Sequence, residues 1–300
     1  MTVKHFLLLV PLALCVLSCE GGLDVPGGLD VPGGAGPGEA IVQAHWLELP
    51  ETSATDGLDF FSRSCSIDGK ALRNYSYYWD YTNRVSHWVA YPLCSVYLGN
   101  SGRSEAWGYD PFLPAAKQQN VSGGFKKVDD NWYDRGLQLP SADRTANNEL
   151  NATTFYSTNI TPQDSKFAGG VWATLEGKIR DWAAKSDTLY VVSGCVTDGA
   201  THYVYDRSDN KVTVPAAYFK AVLRYSKDIT QGDRGFMAAA FWYNHDSCPN
   251  YFSKSESMSV KDLEENLGYK LFVNLDEVVG VNVANSIKSE KPSLVNWWWQ

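Results

Sequence analysis

Positive charge is scarce in this 300-residue sequence. It contains 26 Lys and Arg residues against 34 Asp and Glu residues, so its formal net charge is −8. A protein that coats nucleic acid through its bulk charge needs the opposite sign. Any contact with phosphate must therefore come from a local cluster of basic side chains.

The sequence also lacks an N-terminal apolar run long enough to span a bilayer. The run at positions 6–17 has 12 residues, whereas a transmembrane helix needs about 20. Because Lys4 and His5 precede it, the run has the layout of a signal peptide. It ends in the letters VLSC, which resemble the lipobox of bacterial lipoproteins, with Cys19 as the residue that carries the lipid.

We therefore expect residues 1–19 to be a lipoprotein signal peptide. The protein would be exported and anchored to a membrane through Cys19 alone, facing the periplasm or the cell exterior. Ordinary signal cleavage, with Cys19 as a bystander, is the alternative interpretation.

Residues 20–38 contain almost nothing that could be buried. They include the hexapeptide GGLDVP twice, followed by GGAGPG, a composition typical of a flexible tether. No second break in composition follows, and 44% hydrophobic with 20% charged residues excludes disordered and fibrous classes. Residues 39–300 are therefore predicted to form one globular domain.

Neither a CxxC motif nor a histidine pair stands near the four cysteines of the domain, which disfavours a zinc site. An even number of cysteines in an exported protein indicates two disulfides. Three connectivities are possible, and we favour the one that pairs neighbours in sequence, Cys65 with Cys94 and Cys195 with Cys248.

Strand and helix patterns alternate irregularly along the domain. Aromatic and β-branched residues predict strands at 74–81, 84–91, 188–193 and 237–243. An apolar stripe predicts a helix over 171–185, and Ser259 as N-cap with Gly268 as terminator predicts another over 260–267. This mixture predicts an α+β fold with a mixed, largely antiparallel sheet as its core and helices on its flanks.

Polar residues that could carry chemistry are concentrated in positions 131–182. Considered without reference to any family, the segment has balanced numbers of acidic and basic side chains, so exposed surface loops would explain most of it. The residues that stand out are Asp134, Arg135, Asp143, Arg144, Asn159 and Glu176.

Spaced motifs in this segment resemble the DNA/RNA non-specific endonucleases of the ββα-metal, or His-Me finger, superfamily. That family shows DRGH, then a segment like NITPQ, then an Asn, then W-x-x-LE on a helix. Here DRG stands at 134–136, NITPQ at 159–163 and WATLE at 172–176. Further matches are WVAY at 88–91, Arg103, LYVVSG at 189–194 and VPAAYFKAVL at 214–223.

The resemblance implies a ββα-metal motif and hydrolysis of phosphodiester bonds. In that chemistry a histidine with a pKa near 6.5 takes a proton from water, which then attacks phosphorus. One Mg²⁺ stabilises the charge that develops. Residue by residue, the resemblance implies that Arg103 and Arg135 neutralise the phosphate and that Asn159 steadies the site. It implies that Glu176 holds the water molecules bound to the metal.

The two central groups of the family are missing from this sequence. The general base should follow Gly136, where Leu137 stands, and the metal-ligand Asn should stand where Ala168 is. Leucine cannot accept a proton, and the alanine side chain has no oxygen to offer a metal. Losing a general base typically costs about 10²–10⁴ in rate. Mg²⁺ is therefore expected only in an active protein, with none bound by the sequence as written.

Three functions from different classes follow. The favoured one is an exported nuclease-like lipoprotein, catalytically impaired or inactive, that still binds DNA or RNA weakly and without sequence preference. The basic residues expected to line its surface are Arg103, Arg135, Arg144, Lys126 and Lys127. The first alternative is an active Mg²⁺-dependent endonuclease, and the second is a surface interaction protein that uses exposed aromatic residues of the C-terminal segment 296–300.

Overall fold

The computed structural model describes residues 46–53, 57–128, 131–228 and 235–300. The predicted signal peptide, Cys19 and the tether lie outside these residues. Across the described ranges, every helix is too short or too polar to cross a bilayer.

A seven-stranded sheet forms the centre of the described structure, in the order β1-β2-β3-β6-β9-β10-β11 with every pairing antiparallel. Two separate two-stranded sheets pair β4 with β5 and β7 with β8. The strands are β1 Leu58–Ile67, β2 Lys70–Asp80, β3 Val85–Leu93, β4 Tyr133–Leu137, β5 Ile160–Asp164, β6 Thr188–Val196, β7 His202–Tyr205, β8 Lys211–Val214, β9 Ala217–Tyr225, β10 Phe236–Asn244 and β11 Ser257–Met258.

Helices cover both faces of the large sheet. Because side chains alternate along a strand, Val89 and Tyr91 of β3 join one apolar cluster while Trp88 and Ala90 join the other. The first cluster packs against α3, and the second packs against α4, α5 and α6. The α-helices of the described residues are α1 Asn148–Thr153, α2 Ser165–Phe167, α3 Ala173–Ala183, α4 Val260–Leu267, α5 Leu275–Val279 and α6 Val281–Ser289.

The α+β fold predicted from the sequence is confirmed. Helix α4 has the predicted bounds, because the Ser259 side chain accepts a hydrogen bond from the Asp262 amide and Gly268 ends the helix with a φ of +76°. Helix α3 begins two residues later than predicted. A π-helical turn at Ala168–Trp172 precedes it, and Gly170 within that turn has non-helical angles of φ −99° and ψ −111°.

All four cysteines of the domain are free thiols, so the predicted disulfides are not formed in this structure. Cys195 is buried in β6 and donates to the Ser86 carbonyl oxygen at 3.2 Å. Burial raises the pKa of Cys65 to about 11 and also raises the pKa of Cys94 and Cys248. A thiol that stays protonated is a poor nucleophile for disulfide formation.

The C-terminal tryptophans fold back onto the first cluster. Trp298 is fully buried, its carbonyl oxygen accepts from Trp182 Nε1 at 2.9 Å, and Trp299 Nε1 donates to the Pro292 carbonyl oxygen at 2.8 Å. Trp297 lies under the guanidinium of Arg224, 4.0 Å from its ring centre. The C-terminal segment therefore completes the core, and the prediction of an exposed aromatic binding site there is wrong.

Candidate functional site

The antiparallel pair of β4 and β5 builds one site together with helix α3. We call this pair the hairpin, although residues 138–159 connect its two strands. The two strands pair in register from Tyr133 opposite Asp164 to Leu137 opposite Ile160. The Gln163 side chain packs directly over Gly136, in the space that a side chain at position 136 would occupy. The order strand, strand, helix is that of the ββα arrangement predicted from the sequence.

A cavity of about 260 Å³ opens between this hairpin and α3. Its lining includes five positions that the sequence singled out: Arg103, Arg135, Leu137, Ala168 and Glu176. Residues separated by as many as 73 positions in the sequence therefore share one small space. The fold brings these five together as the motif spacing predicted.

Two arginines contribute positive charge at the cavity. The Arg135 guanidinium stacks on the ring of Trp107 at 3.7 Å, and its Nη1 donates to the Val121 carbonyl oxygen at 2.7 Å. Arg103 donates from Nη1 to Ser141 Oγ at 3.1 Å and forms an ion pair with Glu105. Among the described residues Arg135 forms no direct ion pair, although Glu105 and Asp134 lie near enough to raise its pKa against the effect of burial.

Asn159 lies behind the cavity and does not line it. Its Oδ1 accepts from the Leu139 amide at 2.8 Å, and its Nδ2 donates to the carbonyl oxygens of Leu139 and Thr154 at 2.9 and 2.8 Å. The side chain is fully buried. These bonds fix the backbone immediately after Leu137. Asn159 therefore affects the site by holding the strand end that carries Leu137, and does not itself face the cavity.

Arg144 is a structural residue, and its prediction as a phosphate contact is wrong. Its side chain is fully buried. The guanidinium donates to Asn74 Oδ1 and to the carbonyl oxygens of Asn74, Pro92 and Asp143 at 2.6–3.0 Å. A guanidinium whose donors bond to protein oxygens in the interior has no face left for a ligand.

The comparison with protein families decides the assignment of the chain. The sequence model of the DNA/RNA non-specific endonucleases matches residues 56–278, which include both the sheet and the cavity. The chain belongs to this family. The resemblance inferred from the spaced motifs is thereby confirmed.

Curated relatives of the endonuclease family agree. The chain is 31% identical over 210 residues to a nuclease of Nostoc, covering 69% of this chain and 72% of that protein. It is 26% identical over 229 residues to the nuclease of Serratia marcescens, covering 71% and 76%. The human mitochondrial nuclease EXOG is 24% identical over 238 residues, and the match covers 75% of this chain and 62% of EXOG.

The fold also matches a solved endonuclease structure. A chain of the EndoG/EndoGI complex, a study of EndoG inhibition, superposes with a TM-score of 0.53 over 71% of this chain and 86% of that chain. Sequence identity is 19%, so this likeness bears on the fold alone.

The residues present do not fit the metal that the endonuclease family implies. Ala168 brings no side-chain oxygen, and Asp143 is bonded to Arg180 Nη1 at 3.0 Å and to the Tyr91 hydroxyl at 3.1 Å. Glu176 is thus the one remaining carboxylate of the five predicted positions. No group of three His, Cys, Asp or Glu side chains in the described ranges could hold a metal ion.

A buried ammonium lies beside Glu176 instead. Lys220 Nζ is 3.6 Å from Glu176 Oε1, 2.9 Å from Ser193 Oγ, and 4.3 Å from the ring centre of Trp172. Burial raises the pKa of Glu176 to about 7, opposed by Lys220 and reinforced by Asp143. Burial lowers the pKa of Lys220, opposed by Glu176. The two groups form one coupled pair.

This coupling predicts pH-dependent binding. Between pH 8 and pH 6 the pair takes up a proton, which raises the charge of the cavity by one whichever atom holds it. We expect the affinity for a short DNA probe to be about two- to tenfold higher at pH 6 than at pH 8. Fluorescence polarisation at fixed ionic strength measures this, and Glu176→Gln should remove the difference. An equal pH dependence in that variant would assign it to another group.

Sequence reasoning missed three residues at this site. Arg180 lies one helical turn after Glu176, so the i, i+4 spacing could have revealed it. Trp107 fits the family pattern after Arg103, and Lys220 lies within the matched segment 214–223, but the motifs assigned neither residue a role at the site. Their positions follow from the sheet order and from the stacking of Arg135 on Trp107.

Proposed function

We propose that this protein is an exported, lipid-anchored member of the endonuclease family that binds DNA or RNA weakly and is impaired in cleavage. The observation that carries the proposal is the composition of the cavity. Arg103 and Arg135 line it, while Leu137 and Ala168 occupy the positions of the base and the metal ligand. The anchor is tested by asking whether Cys19→Ala releases the protein from the membrane fraction.

Retained contact with phosphate follows from the donors that surround the cavity. Arg135 lines the cavity and forms no direct ion pair in the described part of the chain. Trp172 lines the cavity, and its buried Nε1 has no acceptor among the described residues. A buried donor without a partner costs about 1–3 kcal/mol, and a phosphate oxygen or a water in the cavity would satisfy it.

Impaired cleavage follows from the two side chains that replaced the reactive groups. Without a base to take the proton from water, the rate falls by about 10²–10⁴. Loss of the metal removes several kcal/mol more of charge stabilisation. None of the described histidines lines the cavity, and the nitrogen Nε2 of His245 is occupied because it accepts from the Asp164 amide at 2.8 Å.

Binding and cleavage can be tested in one set of samples. We expect the purified chain to bind a DNA duplex at low salt, with a slope of log affinity against log salt of about −0.9 per phosphate contact. Arg135→Ala should weaken binding and reduce that slope by about one. A plasmid incubated with the protein and Mg²⁺ should stay intact, as it should when EDTA replaces the Mg²⁺.

Lys185→Ala is the matched control, because Lys185 is exposed at the far end of α3 and donates to the C-terminal Gln300 carbonyl oxygen at 3.3 Å. Removing it changes the net charge by the same amount without touching the cavity. Equal losses of affinity in Arg135→Ala and Lys185→Ala would contradict phosphate contact at the cavity. An affinity that does not change with salt concentration would contradict it as well. Robust EDTA-sensitive cleavage that survives repurification would contradict the impairment.

A further inference from the structure

Three exposed aromatic side chains lie beside segment 121–127, which also contacts Arg135. Trp132 stands directly before β4 and is 62% exposed, while Tyr203 and Tyr205 on β7 are each 38% exposed. We call these three residues the aromatic rim. Every other tryptophan of the described chain is buried or half-buried, so Trp132 is the one indole there that packing leaves in water.

Segment 121–127 connects the aromatic rim to the arginines. At one end, Arg135 Nη1 donates to the Val121 carbonyl oxygen at 2.7 Å, and Arg207 Nε donates to the Gly123 carbonyl oxygen at 2.6 Å. Two guanidinium groups are therefore fixed on the same short piece of backbone.

At its other end, the same segment contacts the aromatic rim. The Lys126 amide donates to the Tyr205 carbonyl oxygen at 2.7 Å, and Lys127 Nζ lies 6.0 Å from the ring centre of Trp132. On the β7–β8 hairpin, Lys211 Nζ lies 4.1 Å from the ring centre of Tyr203. Each part of the rim thus has a lysine ammonium beside an aromatic face.

Three arginine charges, those of Arg103, Arg135 and Arg207, lie close enough to affect one another although the whole chain is acidic. Burial lowers the pKa of Arg135, and the neighbouring charges of Arg103 and Arg207 lower it further, with Glu105 opposing them. Neighbouring cations that destabilise one another's charge are stabilised most by a polyanion that neutralises several of them at once.

The spacing between the rim and the cavity suits a short length of nucleic acid. Trp132 stands five residues before Leu137, and a strand rises about 3.3 Å per residue, so the two positions are about 17 Å apart. Single-strand binding sites cover about 4–16 nucleotides, so one bound strand can reach from the rim to the cavity.

We propose that the aromatic rim stacks on unpaired bases, so that the protein prefers single-stranded nucleic acid to duplex. Proteins that bind single strands combine a positive groove with aromatic rings, since every base has a face that can stack. A duplex keeps those faces inside its own stack and offers only phosphates. This inference rests on the proposed function, because the phosphate contact at Arg135 places the strand beside the rim.

The test compares two labelled probes, a 20-nucleotide single strand of mixed sequence and the corresponding 20-base-pair duplex, in polarisation titrations of the full protein at low salt. We expect tighter binding of the single strand. Trp132→Ala should weaken single-strand binding about 5- to 150-fold, the range of stacking on one base, and change duplex binding less than twofold. Trp132→Phe should keep most of the affinity.

Leu294→Ala is the control, since Leu294 is an apolar side chain that is 80% exposed in the C-terminal region, and its removal should affect neither probe. One outcome would overturn the proposed role of the aromatic rim and leave the proposed function standing. In it, the two probes bind with equal affinity, Trp132→Ala changes neither affinity, and Arg135→Ala weakens both. Absence of binding to either probe would overturn both.

Discussion

Plasmid cleavage by a chain that carries both Leu137→His and Ala168→Asn is expected to be at least about 10³ times faster than by the unaltered chain. The first change supplies a side chain that can take a proton from water near neutral pH. The second supplies an amide oxygen of the kind that Mg²⁺ accepts as a ligand. Conversion of supercoiled plasmid, followed with Mg²⁺ and with EDTA, measures the gain.

The geometry of the cavity supports this expectation. Positions 137, 168 and 176 line the same space, so the two new side chains would meet Glu176 there. Leu137 and Ala168 are both half-buried, and each replacement reaches toward open volume rather than into the packed core. Asn159 already fixes the backbone that follows position 137.

Single restorations should recover much less than the pair, because residues that act as one catalytic unit are not additive. The chain with Leu137→Gln and Ala168→Asn is the matched control: it places a polar side chain of similar size at position 137 that cannot act as a base. Equal activity in that control would show that no base is needed there. Full activity from Leu137→His alone would show that the metal does not depend on position 168.

Loss of the Arg144 side chain is expected to have the largest effect on stability. Arg144→Met should lower the free energy of unfolding by about 3–5 kcal/mol. The substitution fills similar volume but leaves Asn74 Oδ1 and the carbonyl oxygens of Asn74 and Pro92 buried without their donor. Denaturant titration followed by tryptophan fluorescence measures the change in free energy.

Arg207→Met provides the comparison for this stability prediction. Arg207 is exposed and makes one hydrogen bond to the Gly123 carbonyl oxygen, so its replacement should change the free energy of unfolding by no more than about 0.5 kcal/mol. A similar cost for both variants would mean that the hydrogen bonds of Arg144 contribute no more than a surface contact does.

Arg135 and Arg144 show where sequence reasoning succeeds and where it stops. Both stand in an Asp-Arg dipeptide between turns, and both were predicted to meet phosphate. One lies at the cavity and the other is buried beneath Tyr97 and Tyr91. Nothing local distinguishes them, because burial depends on which distant strand packs over each side chain.

Features with a local cause were predicted more closely. The N-cap at Ser259 and the left-handed Gly268 fix the bounds of α4 through bonds within a few residues. The spaced motifs placed Leu137, Ala168 and Glu176 together, because pattern and order reflect one fold. The structure places Cys65 and Cys94 in one apolar cluster with both thiols free, and sequence proximity alone does not fix whether two thiols are oriented to bond.

The β4–β5 hairpin is a sheet of its own, sharing no ladder with the seven central strands. Leu137 ends that hairpin, and Ala168 begins the turn that leads into α3. Substitutions at either position therefore leave every hydrogen bond of the central sheet in place. Folding and chemistry are separable in this architecture: the side chains at these two positions can change while the central sheet and the arginines of the cavity keep their places.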